Sequence, residues 1–238
     1  MSADRVLVIG GGRGIGLAVA EAWAAAGHDV TVVGRRPPAS PGLRFLEAEL
    51  EQEASTADMV ARYLAQGGAP RVVVFAQRAR GQQVNWATEM RVSVEATRQV
   101  IAGVAGAMEA AGGGAIVVIG SAARYLVAAE QPAEYHTSKA ALAQLVRYYA
   151  VTLGAAGIRV NAVVPGSVDK GTQGAGRPHP DAGIIPLKRV PVPADIAHAV
   201  LFLCGPGAAC ITGQHLVVDG GLSLVWQGTL ARQVLEER

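Results

Sequence analysis

The chain has 238 residues, half of them apolar and 17% charged, with a formal net charge of +2. That supplies a sizeable core and excludes a disordered chain, a polyanion coat and an acidic tail. Arginine dominates the cations, 18 against 3 lysines, with no basic run longer than Arg35-Arg36, so nucleic acid is not an expected partner.

Short apolar runs alternate with Ala-rich helical ones. Arg5–Ile9 reads as a buried strand. Gly14–Ala26 reads as a helix with Leu17, Ala20, Trp23 and Ala24 on one face. Val30–Val33 and Leu43–Ala48 are strands, Ala54–Ala65 a helix and Val72–Ala76 a fourth strand. Trp86–Ala111 keeps a helical period throughout, so one long helix is predicted. Ala115–Ile119 is a strand, Ala133–Ala155 a long helix, Val160–Val164 a strand, Ala194–Cys204 a helix and His215–Val218 a last strand. Strands apolar throughout belong to a parallel sheet covered on both faces. The alternation predicts an α/β single-domain Rossmann fold over residues 1–238, a doubly wound seven-stranded parallel sheet with helices on both faces. Arg36–Gly42 breaks the rhythm as a Pro-rich turn. Residues 167–193 break it as a long Gly- and Pro-rich loop, the expected substrate lid.

No apolar stretch reaches the roughly eighteen residues of a membrane helix, and the apolar run after Met1 is too short for a signal peptide. A cytoplasmic protein with no membrane partner is expected. Cys204 and Cys210 have five residues between them, neither a redox nor a zinc spacing. The histidines are scattered, so no metal is expected.

The first strand runs straight into Gly10-Gly11-Gly12-Arg13-Gly14-Ile15-Gly16, which opens the first helix. Glycines there permit a tight turn and let backbone N–H groups approach a pyrophosphate at the helix N-terminus. The required strand–turn–helix context makes a nucleotide site the better reading than a merely flexible turn. Nineteen residues past Gly16, where an NAD site places Asp or Glu on the ribose hydroxyls, the chain has Arg35 and then Arg36. Their charge and fork geometry suit a 2′-phosphate, as does Arg13 within the turn, so NADP(H) is the expected cofactor. The alternative is a set of solvated surface arginines.

Tyr135 and Lys139 stand at i, i+4, on one face of a helix. A nearby ammonium favours the phenolate, which lets a tyrosine exchange a proton with a carbonyl oxygen near neutral pH. The spacing alone also fits an ordinary surface pair. Ser121 lies just past the fifth strand, where sites of open α/β sheets gather, and its hydroxyl suits a substrate oxygen.

With these residues the chain resembles the short-chain dehydrogenase/reductases over nearly its whole length. The matches run in order: Gly10–Gly16, Ser121, Tyr135 with Lys139, Ile158 through Gly166, Pro193-Ala194-Asp195-Ile196-Ala197, and Ile211-Thr212-Gly213-Gln214 with Val218-Asp219-Gly220-Gly221. The resemblance implies hydride transfer between a nicotinamide and a carbonyl or alcohol. Tyr135 is then the acid/base, Lys139 supports it and holds the nicotinamide ribose, and Ser121 orients the substrate. It also implies that Glu49 meets the adenine, that Ala76 and Gln77 pass the cofactor, and that Pro165, Gly166 and Val168 flank it. A homotetramer paired through its long helices and C-terminal segment follows from the same resemblance. That segment, beyond Gly221, has an apolar side in Trp226, Leu230, Val234 and Leu235.

The sequence departs from the family pattern at several points. Phe75-Ala76-Gln77-Arg78 stands where the family has Asn-Asn-Ala-Gly. The family's helix asparagine, which helps a water relay to the lysine, aligns with Ser93. Lys170, with Thr172 beyond it, replaces a threonine after Pro165-Gly166. Arg78, Arg80, Arg124, Lys170, Arg177 and His179 share a positive sign near the expected mouth and suggest an anionic substrate. An Arg-rich chain also scatters arginine on loops. Gly112 and Ala156 stand where 3-oxoacyl-carrier-protein reductases carry basic contacts, which weakens a carrier-bound substrate. The leading expectation is NADPH-dependent reduction of a carbonyl compound, by a tailoring or 3-oxoacyl reductase. Its rivals are a non-catalytic nucleotide-binding sensor or subunit partner, and an NAD-dependent alcohol dehydrogenase.

Overall fold

The computed structural model describes residues 3–81, 84–169, 171, 180–226 and 228. Strands β1 (Arg5–Ile9), β2 (Asp29–Gly34), β3 (Arg44–Glu47), β4 (Val72–Phe75), β5 (Gly114–Ile119), β6 (Ile158–Pro165) and β7 (His215–Val218) form one sheet in the order β3-β2-β1-β4-β5-β6-β7. Every neighbouring pair is parallel. The order reverses direction between β1 and β4, and the crevice at that switch point is where open α/β sheets bind ligands.

The two-residue period of a strand divides β1 between two cores. Val6 and Val8 face one side, Leu7 and Ile9 the other, all fully buried. Helices α1 (Gly14–Ala25) and α6 (Pro193–Cys204) cover the first side with Val19, Ala20, Trp23, Ile196, Val200 and Leu203. The second side lies under α2 (Glu53–Ala65), α4 (Ala96–Ala110) and α5 (Ala133–Thr152), through Met59, Val100, Val104, Leu142 and Val146. Each Val, Leu, Ile and Met among them contributes roughly 1.5–3 kcal/mol by leaving water. Burial on both faces explains the unbroken apolar strands in the sequence.

The predicted single helix over Trp86–Ala111 is corrected. The chain makes a short α3 (Trp86–Glu89), a π-helical turn (Met90–Glu95) and then α4. A wider turn inserts an extra residue per revolution while keeping apolar residues on the core side, so hydrophobic period alone does not register it. The polar residues Glu89, Ser93 and Thr97, four apart, mark it instead, because all three are buried. Helix α5 also stops short of the predicted Ala155. It gives way to a 3-10 turn at Gly154–Ala156, then to Gly157 in the left-handed region at φ 69°, and β6 begins at Ile158.

Two motifs of the family resemblance fasten the sheet. The Asn161 amide, 1% exposed, donates to the Ile211 carbonyl at 2.8 Å and accepts from the Gln214 N–H at 2.9 Å. Thr212 accepts from the Val160 N–H at 3.1 Å, and Arg159 donates to the carbonyls of Leu203 and Cys204. These bonds tie the lead-in of β7 to β6 and to the end of α6. Among the described residues no helix is long and apolar enough to cross a membrane.

Candidate active site

The carboxyl ends of the strands open into a cleft of about 1140 Å³. The glycine turn forms its floor. Gly10 sits in the left-handed region at φ 80°, and a Cβ there would lie 2.5 Å from the Gln77 backbone nitrogen. A Cβ on Gly16 would lie 2.4 Å from the Gly10 carbonyl oxygen, so α1 can approach β1 this closely only with glycine. The first main-chain donor bonded back along the helix is Leu17, to the Arg13 carbonyl. The N–H groups of Gly14, Ile15 and Gly16 therefore have no intrahelical acceptor, and all three residues line the cleft.

The other expected cofactor contacts converge on the same cleft. Gly12 and Arg13 border it at the turn, Arg35 and Arg36 beyond β2, and Glu49 beyond β3. Ala76, Gln77, Pro165, Gly166 and Val168 line its remaining wall. The Glu49 N–H donates to Ser55 Oγ at 2.9 Å, which fixes the turn after β3. These residues fit a dinucleotide phosphate. The helix N-terminus is open to the cleft, glycine gives the close approach, and β2 is followed by two arginines with no acidic residue between them.

Ser121, Tyr135 and Lys139 also line the cleft. Ser121 follows β5, whose end is pinned by the Gly120 N–H on the Val163 carbonyl at 2.8 Å, and its Oγ accepts from the Ala123 N–H at 3.1 Å. Lys139 is 5% exposed. Its Nζ lies 5.6 Å from the centre of the Tyr135 ring and donates to the Ile119 carbonyl at 3.3 Å. Burial pushes the Lys139 ammonium down to about 8; the Glu89 carboxylate opposes that fall, and Arg78 adds to it. The two ring nitrogens of His136 bond to the Pro132 carbonyl and the Ala128 N–H, each at 3.0 Å. That holds the loop between Leu126 and Gln131 against the start of α5, over the site.

Ser93 does not join this surface. It is fully buried, and its hydroxyl donates to Glu89 Oε1 at 2.6 Å. Its carbonyl accepts from Thr97 Oγ1 at 2.7 Å, and Thr97 in turn accepts from Gln77 Nε2 at 2.7 Å. Sequence reading did not single out Glu89, Thr97 or Ser138. Their signal is a polar series in the buried phase of a helix.

Arg78 lies 4.5 Å over the Tyr135 ring and donates to Gln131 Oε1 at 2.9 Å. Partial burial, with Arg13 and Arg78 nearby, holds the Arg80 guanidinium below the ordinary arginine value. Arg124 stacks on Tyr125 at 4.9 Å and does not line the cleft. Lys170, Thr172, Arg177, His179, Leu230, Val234 and Leu235 lie outside the described residues. Burial pushes the Cys204 thiol up to about 12, so it stays protonated and unreactive. Among the described residues no cluster of His, Cys, Asp and Glu is placed to hold a metal.

The family profile described as enoyl-(acyl carrier protein) reductase matches residues 10–223, which spans the glycine turn, Ser121, Tyr135 and Lys139. The chain belongs to the short-chain dehydrogenase/reductase family. It is 31% identical to a galactitol 2-dehydrogenase (L-tagatose-forming) of Cereibacter sphaeroides, over 92% of this chain and 94% of that protein. It is 32% identical to the 3-oxoacyl-[acyl-carrier-protein] reductase MabA of Mycobacterium tuberculosis, over 92% of each. Among solved structures it resembles the TT0495 protein of Thermus thermophilus, with a TM-score of 0.84 and 31% identity over 94% of this chain and all of that one. As a short-chain dehydrogenase/reductase the chain is an oxidoreductase acting on carbonyl or alcohol substrates with a nicotinamide cofactor. The doubly wound parallel sheet is the architecture expected from the sequence.

Proposed function

We propose that this short-chain dehydrogenase/reductase is an NADPH-dependent carbonyl reductase. The observation that carries the reading is the convergence of Ser121, Tyr135 and Lys139 on a cleft whose far end is lined by Arg13, Arg35 and Arg36. The N–H groups of Gly14, Ile15 and Gly16 would hold the pyrophosphate, and Arg35 with Arg36 would meet the 2′-phosphate. When bound, the cofactor supplies the hydride that the carbonyl carbon accepts.

The chain's own residues supply the rest. The Ser121 hydroxyl donates to the carbonyl oxygen and fixes its position. The Tyr135 hydroxyl gives that oxygen a proton, and the products are the alcohol and the oxidised cofactor. Lys139, an ammonium at neutral pH, stabilises the resulting phenolate and returns a proton toward it. The loop held by His136 lines the cleft beside Tyr135.

Arg78, over the Tyr135 ring and tethered by Gln131, is an anchor for a carboxylate or phosphate on the substrate. The reading therefore extends to an anionic carbonyl compound, free or carrier-bound. The apolar surface supports a homotetramer: Tyr148 and Val151 are exposed on α5, as are Phe202 on α6 and Leu216 and Val217 on β7.

The test is a fluorescence titration of the purified protein with NADPH and with NADH. NADPH is expected to bind at least about tenfold more tightly, a difference of ~1.4 kcal/mol. Arg35→Asp should reverse the order. Binding of neither cofactor overturns the reading. A ketone screen follows, in which Tyr135→Phe should lose about 10²–10⁴-fold in turnover while still binding NADPH. Undiminished turnover removes Tyr135 from the chemistry.

A further inference from the structure

Glu89 is a carboxylate in the core of a dehydrogenase, 2% exposed, on the last turn of α3. Its Oε1 accepts from Ser93 Oγ at 2.6 Å and from Ser138 Oγ at 2.8 Å. The Ser138 hydroxyl is also 2.9 Å from the Tyr135 carbonyl, so its single proton is shared between the two acceptors. Ser93 and Ser138 are themselves fully buried. Two hydroxyl donors, one from its own helical segment and one from α5, therefore fix Oε1 in place. An ionised carboxylate in a core persists only beside a positive charge.

The positive charge is on the next residue of α5. We propose that Glu89 is a positioning residue of the active site, its carboxylate fixed by Ser93 and Ser138 as the buried counter-charge to the Lys139 ammonium. Every element packed around Lys139 brings a group that bears on it. Its own helix brings Tyr135, β5 the Ile119 carbonyl, the segment after β4 brings Arg78, and α3 brings Glu89. Burial and Arg78 both favour losing the proton; Glu89 is the charged group that favours keeping it. Without Glu89 the lysine stands between a cation and an apolar core, and the ammonium that supports Tyr135 is lost at a lower pH.

The π-helical turn belongs to the same device. It begins directly after Glu89 and contains Ser93, so it sets the carboxylate and its first donor on one face of the helix, about a turn apart. Thr97 and Gln77 then continue the string of hydrogen bonds from Ser93 to the wall of the cleft. Truncating Glu89 therefore leaves the buried Ser93 hydroxyl without its acceptor and Ser138 with the Tyr135 carbonyl alone.

The consequence for turnover rests on the carbonyl-reductase reading; the test does not. The chain has three lysines, so protein labelled with ¹³C at lysine Cε gives three NMR signals, and Lys139→Arg identifies the one for Lys139. Glu89→Gln should lower the Lys139 titration midpoint by about one pH unit, a tenfold change in its protonation equilibrium. Glu89→Asp, which keeps the charge, should restore most of it. In a folded Glu89→Gln protein, an unmoved midpoint overturns the proposal. If that variant does not fold, Ser138→Ala removes one donor from the carboxylate. A midpoint that falls in that variant supports the proposal, and an unmoved one overturns it. Where a substrate is in hand, the basic limb of the kcat–pH profile should move to lower pH in Glu89→Gln, which a purely structural role does not produce. A shifted Lys139 signal in a protein that reduces no ketone rejects the reductase reading and leaves the role of Glu89 standing.

Discussion

Charge around Lys139 is balanced by single residues, and each can be removed. Arg78 works against the ammonium that Glu89 supports. Arg78→Ala should therefore move the Lys139 midpoint upward, opposite in sign to Glu89→Gln, and extend activity to higher pH. If Arg78 also anchors an anionic substrate, the same variant should raise KM for carboxylate- or phosphate-bearing ketones by about tenfold or more, the scale of a charged hydrogen bond, and leave neutral ketones unchanged. Equal effects on both substrate types would remove Arg78 from recognition. His215 gives a separate prediction for stability. Burial first, then Arg124 and Arg147, push its imidazole from 6.5 down to about 4. Between those values the unfolded chain binds the proton and the folded chain does not, so stability present above pH 6.5 is lost as pH falls toward 4. His215→Gln should flatten that part of the stability curve, as followed by thermal melting across the range.

At the scale of elements, helix termini carry most of what local chemistry decides. Asp195, at the third position of α6, accepts from the Val192 N–H at 2.9 Å and from both guanidinium arms of Arg189. The Arg189 bonds first, then the Val192 N–H, hold its carboxyl down to about 2. Asp195→Ala should cost about 1 kcal/mol through the lost cap, or about 2–4 °C in Tm for a domain of this size. An unchanged Tm would mean that the exposed ion pair and the cap contribute nothing. Gly16→Ala should weaken NADPH binding far more than it lowers Tm in the apo protein, because the added methyl forces α1 away from the turn; equal losses in both would make the glycine purely structural. The same elements show what a sequence discloses. Parallel strands buried on both faces are runs of Val and Ile, so their order and extent are legible within a residue or two. The glycine turn is legible because strand, turn and helix must follow one another. The π-helical turn is not, since an extra residue in one revolution leaves the apolar face in place. Glu89 was hidden with it: a lone Glu among helical residues reads as solvated surface until tertiary packing buries it against Ser138 of α5.

Among the described residues, large apolar side chains are exposed on several elements. On α5 Tyr148 is 57% and Val151 82% exposed; elsewhere Phe202 of α6 is exposed, as are Leu216 and Val217 on the two faces of β7. Strand β7 is also one of the sheet's two outer strands, and among the described residues it pairs only with β6, an arrangement that invites pairing with another chain. A homotetramer of dihedral symmetry uses two different self-complementary faces, which matches apolar exposure on separate elements better than a simple dimer does. The protomer is 24.4 kDa, so light scattering should give about four times that mass for the wild type. Val151→Arg sets two like charges against each other across the α5 face and should leave a dimer held by the other surface. Leu216→Arg should do the same from the β7 side, and the double variant should run as a monomer. Because α5 carries Tyr135 and Lys139 near its start and Val151 near its end, splitting the α5 face should also weaken turnover by loosening the helix that positions both. A wild-type monomer, or a Val151→Arg protein that keeps the full mass, would rule out the α5 face as an assembly surface.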